Sequence, residues 1–332
     1  MMAGNLVGAG AVSLGFAAYL RHFVDIDARL IAVVLLLVLT GIVSTGVRIW
    51  IWLTTALVAL EVGGLLLVIF VGVPHIGDRS LVEGTPTGVL SAATLVFFAF
   101  IGFDEVVTLS DETKDPARVI PRELLLALGI STALYAAVAV AAVSTIDWHE
   151  LAASERPLGL VLDHQWGGRA STIIAWLVLA STTSTTLLLL TASARLIYDM
   201  ARKGSLPAVL GTVSSRAHAP YVATAVSFAI AAAFAWIGRL GLVAAVTDFS
   251  VYAVFIAVNL AVLRLRRTLP GATRRMRACP SLGGWPVAPV LGLLAPFLMI
   301  AFLDRTAWAI GGGVTAAGVV LWLTRRGRAR LA

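Results

Sequence analysis

Apolar positions in this chain come in long unbroken stretches, separated by short polar links, rather than at the spacing of an amphipathic helix. A helix needs about 20 apolar residues to cross the hydrocarbon core of a bilayer. The pattern predicts ten spans, at roughly 3–20, 28–46, 49–72, 88–110, 121–145, 168–198, 220–237, 240–264, 287–303 and 306–324. Some links are as short as Gly238 to Leu240 or Asp304-Arg305. Two are long: residues 146–167, expected to carry one short surface helix, and residues 265–286, basic and rich in Pro and Gly. The predicted fold class is an all-α integral membrane protein of about ten transmembrane helices.

Composition agrees. Of 332 residues 59% are hydrophobic and 13% charged, with a mean hydropathy of +0.93, whereas soluble domains carry about 25% charged residues. The net charge of +7 does not point to nucleic acid, because the basic residues lie between apolar runs and at the C-terminus instead of along one soluble face. An even number of spans puts both ends on one side. With Met1 in the cytoplasm, eighteen of the 25 Lys and Arg fall inside and seven outside, as the positive-inside rule requires. The localisation expected is the cytoplasmic membrane, multi-pass. The basic 265–286 segment reads as an orientation determinant drawn to anionic lipid, with a regulatory partner site as the alternative.

Little enzymatic chemistry is in view. The lone Cys279 excludes a disulfide within the chain and no zinc spacing occurs. His22, His75, His149, His164 and His218 all fall in predicted loops. No P-loop, HExxH or nucleophile elbow is present, and no signal peptide is expected. Neither a cofactor nor a metal site is predicted.

The most informative stretch is LVFFAFIGFDEVVTLSDETKDPARVIPREL, residues 95–124. An apolar helix runs into Phe98-Ala99-Phe100-Ile101-Gly102-Phe103-Asp104, placing a glycine and a carboxylate where lipid-buried helix should continue. An acid inserted there costs roughly 2.5–3.5 kcal/mol, so Asp104 should face protein, water or ligand. Asp115 and Pro116 read as the cap and first position of a short helix, and Pro121 as the start of the next span. Discontinuous helices of this sort expose backbone groups at mid-membrane in secondary transporters.

Residues 97–124 resemble the sixth helix and following loop of the amino acid–polyamine–organocation transporter superfamily, in particular its bacterial amino acid permeases. ARLIYDMARKGSLP, residues 194–207, is similar to the signature closing that family's eighth helix, and ALVALEVGGLLLVIF, residues 56–70, to its fifth. The resemblance implies the five-helix inverted-repeat transporter fold with an incomplete first repeat: residues 1–72 as helices three to five, 88–264 as the second repeat, and 287–324 as two C-terminal helices. Helices one and two would then be missing, through a late start, a fragment or a partner that supplies them. Gly4-Asn5-Leu6-Val7-Gly8-Ala9-Gly10 does not replace the absent glycine-rich break and reads as a close-packing face.

By resemblance, the carbonyls of Phe98 and Ile101 would receive a substrate amino group, Ala99 would line the opening, the Phe98 ring would cover the bound molecule, and Gly102 would permit the irregular backbone. Alternatively Phe97, Phe98, Phe100 and Phe103 are bundle packing. Asp104 and Glu105 beside the opening are either proton carriers or structural acids. Glu61, mid-span and read as the most deeply placed carboxylate, is either a coupling group or a neutral acid bridging helices. Thr183 and Ser184, within the hydroxyl run 181–186, fall where sodium-coupled relatives place cation-binding hydroxyls; hydroxyls bonded to their own helix are the other reading.

The leading expectation is secondary active transport of amino acids or related amines by alternating access, driven by protons, by exchange or by sodium. A non-transporting membrane subunit or an inactive permease fragment is the alternative. An intramembrane enzyme would need paired catalytic groups, and only isolated acids are found.

Overall fold

A computed structural model describes residues 1–45, 51–81, 83–103, 113–214, 219–269, 281–282 and 285–329. Each predicted span coincides with a helix or the described part of one. The helices are α1 (Met2–Leu20), α2 (Ala28–Ser44), α3 (Ile51–Gly72), α4 (Pro86–Val96), α5 (Pro116–Thr145), α6 (Trp148–Ala153), α7 (Pro157–Trp166), α8 (Gly168–Arg202), α9 (Tyr221–Ala235), α10 (Leu240–Thr268), α11 (Val287–Ala301) and α12 (Arg305–Ala329). Ser281–Leu282 and Trp285–Pro286 pair as a minimal antiparallel hairpin, β1 with β2. Among the described residues, five segments are long and apolar enough to cross a bilayer: Met2–Leu20, Thr55–His75, Pro116–Thr145, Thr172–Arg202 and Leu240–Thr268.

The Cα trace divides into two compact units, one formed by Gly84–Ala133 and Ala245–Ala316 with Met1, the other by Met2–Glu83, Leu134–Ala244 and Ala317–Ala332. The larger unit is built around α1, which packs on α2, α8 and α9. Its run from Gly4 to Ala11 is buried throughout. Gly10 explains the closeness: a Cβ there would lie 2.8 Å from the carbonyl oxygen of Ala231 on α9. The glycine-rich start of α1 is therefore a packing face, as expected. A second cluster joins Tyr19, Val68, Val161, Leu162, Ile174 and Leu179.

Outward faces carry apolar side chains without cover, as a bilayer solvent requires. Phe70 on α3 is 72% exposed and Leu125 on α5 67%, values that water would punish at about 25 cal/mol per Å².

Four expectations need correction. Residues 146–167 hold two helices, not one, and the second is not on the surface: Val161 and Leu162 of α7 are fully buried, and α7 packs on α8 and α3. A ten-residue helix that places Leu158, Val161 and Leu162 three and four apart presents one apolar side, and here it turns inward. Pro121 does not open a span. It lies inside the single helix α5, where its missing N–H leaves the Ala117 carbonyl without a helical donor. Finally, α10 continues to Thr268 beyond the expected end at 264, and His149 and His164 lie on α6 and α7 rather than in loops.

Candidate substrate site

Helix α4 is started by Thr85, whose hydroxyl accepts the N–H of Gly88 at 3.1 Å, with Pro86 at the first helical position. It ends after eleven residues. Phe97–Phe100 tighten into a 3-10 helix, Ile101 is extended (φ −68°, ψ 136°), and Gly102 takes φ +112°. That value lies in the region closed to residues with a Cβ. Among the described residues nothing lies within 4 Å of a Cβ built on Gly102, and the backbone conformation by itself demands glycine there. The expected break between Phe98 and Gly102 is present. The charged turn after it resumes at Thr113, and Asp104 and Glu105 lie outside the described residues.

The break alters one detail of the reading. The Phe98 carbonyl is not left without a donor: the N–H of Ile101 reaches it at 3.2 Å in a 3-10 bond. A carbonyl oxygen has two lone pairs, so a second donor could still approach. The aromatic residues divide. Phe97 packs on Tyr252 (ring centroids 4.7 Å apart) and on Phe255 (5.8 Å), and Phe103 meets Phe255 at 6.0 Å. Phe97 and Phe103 thus follow the packing alternative. Phe98 and Ile101 are half-buried and Ala99 is exposed.

The segment before the break is tied down. The Thr94 hydroxyl donates to the Leu90 carbonyl at 2.8 Å, and the Tyr252 hydroxyl of α10 donates to the Thr94 carbonyl at 3.1 Å. Both residues are fully or nearly fully buried. A fixed half-helix followed by an irregular turn directs backbone carbonyls and N–H groups away from intrahelical partners. Such an arrangement can meet the charged ends of a zwitterion.

The remaining candidates are dispersed over other elements. Glu61 on α3 is half-buried, not the deepest acid of the chain, and its charge is felt at Tyr135 of α5. In the hydroxyl run of α8, Thr182, Thr183 and Thr186 donate to the carbonyls of Val178, Leu179 and Thr182 at 2.6, 2.6 and 2.7 Å. The Thr183 hydroxyl is thereby committed to its own helix, though its oxygen keeps acceptor capacity. Ser184 is half-buried beside it. Asp115 acts at the start of α5 through its backbone: with φ +51° its carbonyl accepts the N–H groups of Arg118 and Val119, both at 3.1 Å.

The most buried carboxylate among the described residues is none of the expected candidates. Asp248 of α10 has 0% exposure, and neither side-chain oxygen has a hydrogen-bond partner among the described residues. The available signal was its isolation within the apolar span 240–264, the same signal that singles out Glu61. Among the described residues no group of His, Cys, Asp and Glu could hold a metal ion.

Comparison with known proteins places this architecture. The sequence profile described as "Amino acid permease" matches residues 1–323. The chain is 28% identical to the branched-chain amino acid permease BcaP of Bacillus subtilis over 96% of its own length and 71% of that protein's. It is 29% identical to the methylthioribose transporter of the same organism (88% and 61%). It is 30% identical to the uncharacterized transporter Rv1999c of Mycobacterium tuberculosis (98% and 74%). These relatives are transporters, not enzymes. With a helix interrupted at Phe97–Gly102 and a profile that runs almost end to end, the chain belongs to the amino acid permease family, within the amino acid–polyamine–organocation superfamily.

Proposed function

We propose that this protein carries out secondary active transport of amino acids or related amines across the cytoplasmic membrane by alternating access. The observation that carries the reading is the interruption of α4 at Phe97–Gly102 in a chain of the amino acid permease family. An ammonium group would be received by the carbonyls of Ile101 and, as a second donor, Phe98. Ala99 lines the opening, the Phe98 ring covers the substrate, and Gly102 sustains the backbone.

Protons, exchange or sodium drive the cycle, with Glu61, Asp104, Thr183 and Ser184 as coupling candidates. Residues 1–72 act as helices three to five of the first repeat, 88–264 as the second repeat, and 287–324 as two further helices, with both ends of this chain in the cytoplasm. Branched-chain amino acids are the first substrates to try, because one relative is a permease for them.

The test is counterflow of labelled amino acids in proteoliposomes holding the purified protein. Saturable exchange that is lost in Phe98→Ala and Gly102→Ala supports the reading. No exchange of any amino acid or amine by correctly folded protein would overturn it in favour of a non-transporting membrane subunit or inactive permease fragment.

A further inference from the structure

One buried acid has no part in the site described above. Asp248 stands eight residues into α10 from Leu240, about 12 Å along the helix axis at 1.5 Å per residue, and so within the apolar core. Its side chain is wholly shielded from solvent, and among the described residues no N–H or O–H group reaches either oxygen.

The polar groups around it are committed elsewhere. The Ser250 hydroxyl donates to the Val246 carbonyl at 3.0 Å, and the Tyr252 hydroxyl, one turn further on, to the Thr94 carbonyl at 3.1 Å. Tyr252 is the titratable group that feels the Asp248 charge. Within the same unit, described residues that meet this stretch of α10 include Thr94 from α4, Phe97 from the 3-10 segment after it, and Trp308 and Gly311 from α12. None of these four carries a charge.

A carboxylate with no partner in such a place is costly, whereas a carboxylate joined by a positive charge is not. A metal cation needs a shell of several oxygens, and the described residues assemble no such cluster. A proton needs only the carboxylate itself.

We propose that Asp248 is a proton-binding group of the transport cycle. Its carboxylate forms an O–H bond with a proton taken from one aqueous side and yields that proton to the other, so that substrate movement is tied to proton flow. This rests on the transport reading above.

The experiment separates the two. Wild type, Asp248→Asn and Asp248→Glu are purified, placed in proteoliposomes and assayed with labelled leucine for counterflow and for accumulation driven by a pH gradient. The same proteins are examined by infrared spectroscopy for the carbonyl stretch of a protonated, buried carboxyl. Expected are intact counterflow with loss of gradient-driven accumulation in Asp248→Asn, recovery in Asp248→Glu, and an infrared band present in wild type and absent in Asp248→Asn. Accumulation by Asp248→Asn equal to wild type, accumulation that follows a sodium gradient instead, or an infrared band unchanged by the substitution would overturn the assignment. Should wild type show no counterflow, the transport reading fails while the band still decides whether Asp248 holds a proton. If Asp248→Asn does not fold, the displaced band of Asp248→Glu supplies the same decision.

Discussion

The hydroxyl of Tyr252 on α10 donates to the carbonyl of Thr94 on α4 at 3.1 Å, one turn before α4 gives way at Phe97. The ring of the same tyrosine lies against Phe97, the first residue of the 3-10 segment. One side chain thus holds both the last regular turn and the first irregular one. Tyr252→Phe keeps the ring contact and removes the bond, and should lower stability by about 1 kcal/mol. Tyr252→Ala removes both and should cost about 3–5 kcal/mol. Thermal unfolding of the two variants in detergent checks the ratio. Equal losses would mean that the ring contributes nothing beyond the hydroxyl to holding the break.

Gly102 and Gly129 form a matched pair. Neither has a neighbour among the described residues within 4 Å of a built Cβ, but Gly102 has φ +112° and Gly129 lies within α5. Gly129→Ala should be neutral or stabilise by about 0.4–1 kcal/mol. Gly102→Ala should cost about 1–3 kcal/mol in backbone strain and depress counterflow more than it depresses unfolding temperature. If both substitutions behave alike, the left-handed turn is not required.

Gly10 and Gly15 provide a second contrast within α1. A Cβ at Gly10 falls 2.8 Å from the Ala231 carbonyl oxygen, whereas at Gly15 the nearest atom is 3.9 Å away. Gly10→Ala should destabilise by about 1–3 kcal/mol through overpacking of α1 on α9, and Gly15→Ala should not destabilise. Chemical denaturation in mild detergent reads the difference.

Asp147 caps α6, accepting the backbone N–H and the Nδ1 of His149, both at 2.9 Å, with Arg79 at 3.4 Å. The hydrogen bonds from His149 come first, and the His149 and Arg79 charges add to them; together they hold the carboxyl below its ordinary value of 3.8. A carboxyl depressed on folding contributes stability that is present above its unfolded value and is lost as pH falls through the lowered folded one. Amide hydrogen exchange over residues 147–153 should therefore be faster in Asp147→Asn than in wild type at neutral pH. The two should converge only in strong acid, below pH 3.8. A gap that closes well above pH 3.8 would mean that the Asp147 carboxylate is not what holds this turn.

Much of this molecule can be read from hydropathy alone, because crossing a bilayer imposes a one-dimensional rule on length and polarity. Residues 28–46 and 168–198 needed nothing more. The interruption was readable for a related reason: Gly102 stands where an apolar helix has no use for it. What escaped the sequence depends on partners that periodicity does not encode. Leu158, Val161 and Leu162 suit a surface or an interior equally well, and burial was decided by Tyr19 and Ile174. The donor to the Phe98 carbonyl follows from where the chain turns, not from which residues it contains. Asp248 and Glu61 look the same in sequence, each a lone acid in an apolar run. Helix packing leaves Glu61 half-covered and closes over Asp248.

The inward-turned α7 has a consequence for biogenesis. Its Val161 and Leu162 complete a cluster with Tyr19 of α1 and Val68 of α3, segments made far earlier on the ribosome. Their contacts with α7 can form only after that helix has been synthesised. This cluster is therefore closed late in synthesis, by a keystone made more than ninety residues after Val68.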